Sequence, residues 1–114
     1  MPTTTQLGNI QNALAQIKLA IPPAQAAVGA TADPDAKYQL TLAEIQLVNT
    51  QTTLTQALIA ADDTVFATDT EKLKAQAEVL KEQAAKFKKI VADVDTGVRI
   101  AGYIAEAAKF IAAI

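Results

Sequence analysis

The sequence predicts an all-α fold: an antiparallel bundle of three helices, or four if the last folds back, ending in a long coiled-coil-like helix. Three observations carry this. Apolar residues recur at helical spacing in three separate stretches, each preceded by residues that start helices. Alanine supplies nearly half of a hydrophobic content of 51%, and only four Gly and four Pro are present to interrupt helices. The chain of 114 residues fits one domain, 1–114, with enough length to bury a core. An alanine core is thin, at roughly 0.8 kcal/mol per buried methylene, so its helices must approach closely.

The first helix is expected over residues 4–20. Thr3 and Gln6 have capping-box spacing, and Leu7, Ile10, Leu14, Ile17 and Ile21 follow at alternating steps of three and four. Pro22 and Pro23 are expected to stop it, because each disfavours the α conformation in the residue before it. Residues 24–30 then read as a turn or two of weak helix ending at Gly29.

A second helix is expected over residues 34–61, opened by the capping carboxylate of Asp33 and by Pro34 at the first helical position. Leu40, Ala43, Leu47, Leu54, Leu58 and Ala61 line one face. Tyr38, Leu42, Ile45, Val48 and Ile59 lie on other sides, which predicts more than one neighbour for this helix. Its threonines are expected to bond back to backbone carbonyls. Asp62, Asp63 and Thr64 close it, with Val65 and Phe66 plugging the end of the bundle.

The third helix is expected over residues 69–113, opened by Thr68 and Glu71 at capping-box spacing. Leu73, Ala77, Leu80, Ala84, Phe87, Val91, Val94, Val98, Ala101, Ala105, Ala108 and Ala112 form an unbroken heptad seam. Asp95, Thr96 and Gly97 offer a place to break, but the seam crosses them in register, which favours one helix of about 65 Å over two folded back. Beyond Gln83 the apolar face widens. Ile90, Ile100, Ile104, Phe110, Ile111 and Ile114 fall outside the seam, and an antiparallel second helix would reach only to about Val98. Those six residues are therefore the expected interface for a homo-oligomer or a helical protein partner. The plainer alternative is a broad core face surrounded by several helices.

Little chemistry is on offer. There is no Cys, His or Ser, and hence no thiol, imidazole or serine nucleophile. Asp62, Asp63, Asp69 and Glu71 crowd one connection and are better read as caps. Asp93 and Asp95 resemble only the opening of a calcium loop, without its remaining ligands. Net charge is −2, with six acids against two bases before Glu71 and eight bases against six acids from there on. The Lys74, Lys81 and Lys88 stripe is matched by Glu71–Lys74, Glu78–Lys81, Glu82–Lys86, Lys89–Asp93, Asp95–Arg99 and Glu106–Lys109, so a solvated salt-bridged face is expected rather than a nucleic-acid surface. No cofactor, metal or small-molecule substrate is expected. No signal peptide or membrane-spanning run is evident, which leaves the cytoplasm as the default location. The function expected is a non-enzymatic structural or protein–protein interaction subunit that self-associates through its C-terminal helix. The alternative is a membrane-active protein that inserts an amphipathic Ala/Ile-rich helix into lipid.

Overall fold

A computed structural model describes residues 2–114, which are 88% helical and contain no strand. Four helices are present: α1 (Thr4–Ala30), α2 (Pro34–Leu58), α3 (Asp63–Ile90) and α4 (Val94–Ala112). Connections of only a few residues make consecutive helices antiparallel neighbours. α4 closes the ring by packing on α1, so α2 and α4 stand at opposite corners of a bundle measuring 47 × 21 × 19 Å.

Each helix starts on a side-chain cap. Thr3 Oγ1 accepts from the Gln6 amide at 3.0 Å while Gln6 Oε1 accepts from the Thr3 amide at 2.8 Å, the reciprocal box expected. Asp33 accepts from the Ala36 amide at 2.9 Å, with Pro34 behind it. For α3 the cap is Asp62, accepting from the Val65 amide at 2.9 Å, not Thr68. Thr68 lies inside α3, where its hydroxyl donates to the Thr64 carbonyl at 3.0 Å. Phe66 is buried as expected, whereas Val65 is exposed. α2 ends at Leu58, three residues before the expected stop. Its threonines Thr41, Thr50, Thr52, Thr53 and Thr55 all donate to carbonyls four residues back.

Two larger expectations are corrected as well. The first helix does not end at Pro22 and Pro23; α1 carries both inside it and runs on to Ala30. The carbonyls deprived of a donor belong to Lys18 and Leu19, both exposed, so water can serve them. Burial of Ala24 and Ala27 against the bundle offsets the loss.

The stretch 69–113 is likewise not one helix. It is divided by Val91, Ala92 and Asp93, and α4 folds back on α3. The physical reason lies in which face is larger. Through Phe87 the seam is buried, with Leu73, Ala77, Leu80 and Phe87 inside. Beyond the corner the buried set is Gly97, Ile100, Ile104, Ala107, Ala108 and Ile111. In a straight helix that set would point roughly 150° away from the buried face of α3, at 3.6 residues per turn. A break with rotation lets α4 bury three isoleucines instead of Val94, Val98, Ala105 and Ala112, which worth-for-area favours. Gly97 permits the corner: a Cβ there would lie 2.9 Å from the Phe87 carbonyl oxygen and 3.3 Å from Val91 Cβ.

Candidate functional site

Helix rotation decides which residues are available to a partner. Of the six expected at an interface, Ile100, Ile104 and Ile111 are fully buried in the chain's own core. Ile90, Phe110 and Ile114 are half-buried and pack against that core. The fold brings these residues together, but inside, because α1 and α3 cover the face that a straight third helix would have left overhanging. The carbonyls at the end of α4 are held from the same side: Gln6 Nε2 donates to Ile114 O and Asn9 Nδ2 to Ala113 O, each at 3.3 Å.

What α4 presents outward is the remainder of its heptad seam. Val94 is 68% exposed and Val98 48%, and Gly102, Ala105 and Ala112 are exposed along the same face. Asp95, Arg99, Glu106 and Lys109 flank it, all exposed. The expected pairs Asp95–Arg99 and Glu106–Lys109 do not close within the chain. Of the six opposite-sign pairs named above, Glu78–Lys81 closes, at 3.2 Å on an exposed face.

A second outward face was not read from the sequence as a site. Tyr38, Leu42, Ile45, Val48 and Ile59 run along the solvent side of α2, with Tyr38 62% and Ile59 76% exposed. The available signal was the charge pattern: between Tyr38 and Ala61 the only charged residue is Glu44.

At the end of the bundle, α1, the α1–α2 connection and the α3–α4 corner enclose an open groove of about 710 Å³. Pro23, Ala26, Ala27, Ile90 and Val91 supply apolar walls, and Asp33, Asp93, Thr96 and Arg99 the polar rim. Both carboxylates are occupied in capping. Asp93 accepts from the Thr96 hydroxyl at 2.9 Å and the Asp95 amide at 3.2 Å. The Thr96 hydroxyl bond first, then amide bonds and the Arg99 charge, hold its carboxyl below the ordinary value. A capping acid held ionised in this way is poorly suited to proton transfer. Among the described residues, no group of three or more His, Cys, Asp or Glu is placed to hold a metal ion, and no helix is long and apolar enough to cross a membrane. Comparison with protein-family models, curated proteins and solved structures finds no match for this chain.

Proposed function

We propose that the chain is a non-enzymatic structural or protein-interaction subunit that self-associates through its C-terminal helix. The observation that supports this reading is the outward face of α4. Val94, Val98, Ala105 and Ala112 keep heptad spacing there, yet all four stay exposed among the described residues. A helix of 19 residues with a second apolar stripe outside the one it buries has the form of an element shared with another helix. The partner surface is therefore Val94–Ala112 on its outer side, and Ile100, Ile104 and Ile111 act by fixing the rotation of that helix.

Light scattering across a dilution series tests the proposal. The expected mass exceeds the 12.0 kDa of one chain at high concentration and falls on dilution. Val98→Glu should abolish that dependence while leaving the melting curve at high dilution unchanged, because the side chain is already 48% exposed in the single chain. A wild-type chain that stays at the mass of one copy into the high micromolar range would end the proposal.

A further inference from the structure

We infer that two copies pair α4 against α4 in antiparallel register about Gly102; the inference rests on the self-association proposed above. Gly102 lies at the centre of the outer face, and, its own helical backbone aside, nothing among the described residues comes within 4 Å of where its Cβ would be. A glycine in the middle of a helix costs about 1 kcal/mol relative to alanine. Here, as at Gly8 and Gly29, no intrachain packing accounts for it, and Gly102 differs from those two in sitting between charges of matched spacing. At 3.6 residues per turn, Val98 and Ala105 fall on one side of Gly102, and Asp95, Glu106 and Arg99 on the other, with Lys109 near the centre line.

The charges select the direction. Asp95 precedes Gly102 by seven residues and Lys109 follows it by seven; Arg99 precedes by three and Glu106 follows by four. A two-fold axis at Gly102 exchanges these positions, so Asp95 meets Lys109 of the second copy and Arg99 meets Glu106, twice over. Parallel pairing would instead set Asp95 on Asp95 and Arg99 on Arg99. On the apolar side the same axis places Val98 against Ala105, large against small, and the missing side chain at the centre lets the two backbones come close. Among the described residues Asp95, Arg99, Glu106 and Lys109 close no ion pair, although Arg99 acts on Asp93 through its charge. Asp95, Glu106 and Lys109 therefore enter the contact unpaired, and Arg99 shares its charge between Asp93 and the second copy. One face of a helix about 28 Å long gives a contact at the small end of specific interfaces. The dimer is accordingly a weak one that exchanges readily.

The absence of cysteine makes the test clean. Gly102→Cys should form a covalent dimer under mild oxidation, since a disulfide requires Cα atoms within about 7 Å. Thr52→Cys, exposed on α2 at the opposite corner, should not. Arg99→Glu should weaken dimerisation roughly tenfold, because two contacts turn from attraction to repulsion, and adding Glu106→Arg should restore it. All four positions are exposed, and unchanged far-ultraviolet dichroism verifies folding. If the wild-type chain dimerises but the double reversal binds no better than Arg99→Glu, the register is wrong while self-association stands. Sensitivity to Ile45→Glu with indifference to Arg99→Glu would move the contact to α2 and overturn the inference. A wild-type chain that never dimerises overturns the parent proposal as well.

Discussion

Replacing Gly97 by alanine asks whether the chain turns between α3 and α4. At the corner, the new methyl would sit 2.9 Å from the Phe87 carbonyl oxygen, 3.3 Å from Val91 Cβ and 3.5 Å from Lys88 Cα. Two of those three neighbours are backbone, so relief requires α4 to shift against α3 and not merely a side chain to rotate. Overpacking of this kind costs typically 1–3 kcal/mol, set against a gain of about 1 kcal/mol from the better helix former. The net expectation is a loss of about 1 kcal/mol, or a melting temperature lower by about 4 °C for a chain of this size. Gly8→Ala provides the control. Nothing lies within 4 Å of its Cβ position in α1, so only the propensity gain applies and the melting temperature should rise. Thermal unfolding followed by circular dichroism measures both. If Gly97→Ala raised the melting temperature as Gly8→Ala does, the close approach would not exist, and a helix running straight through residue 97 would be the better description.

Three further perturbations test other parts of the bundle. Pro22→Ala restores an amide inside α1 at an exposed position and should stabilise the chain by about 1–3 kcal/mol in urea titrations; a neutral or destabilising result would mean that α1 stops at Ile21. Ile104→Glu places an unpaired carboxylate in a fully buried position, and dichroism with light scattering should find an unfolded single chain; a folded variant of altered mass would put Ile104 at an interface. Asp93→Asn keeps a capping acceptor but removes the titration. The Asp93 carboxyl is held below its ordinary value, so its stabilisation is full above that value and disappears as pH falls through the lowered one; urea midpoints should separate wild type from variant at neutral pH and converge in acid, and a gap that persists in acid would argue against the capping bonds.

Helix content and two of the four starts were legible because they rest on local chemistry. Thr3 with Gln6, and Asp33 with Ala36 behind Pro34, are bonds between residues three apart, and the structure holds both. Asp62 was read as a stop when it is a start, because a carboxylate beside the end of one helix and the beginning of the next serves either description until the connection length is known. Pro22 and Pro23 misled in the opposite sense. Proline's local penalty is real, but whether a helix continues depends on what lies beyond it, and Ala24 and Ala27 meet partners distant in sequence.

The seam from Leu73 to Ala112 raises the harder question, because periodicity identifies a stripe without identifying which of two stripes wins. α4 has an alanine and valine stripe in register with α3, and an isoleucine stripe on another side. Burial scales with apolar area, so Ile100, Ile104 and Ile111 outweigh Val98, Ala105 and Ala112, and three residues of corner are enough to present them. The in-register stripe is then turned out with its flanking charges. Asp95, Arg99, Glu106 and Lys109 look like ordinary helix pairs when read along one chain, at spacings of three and four. They leave those pairs open in the fold, and their spacing is close to symmetric about Gly102. The same rotation that removes the isoleucines from the surface thus exposes the arrangement we propose for a second copy, and that proposal depends on which stripe the core takes.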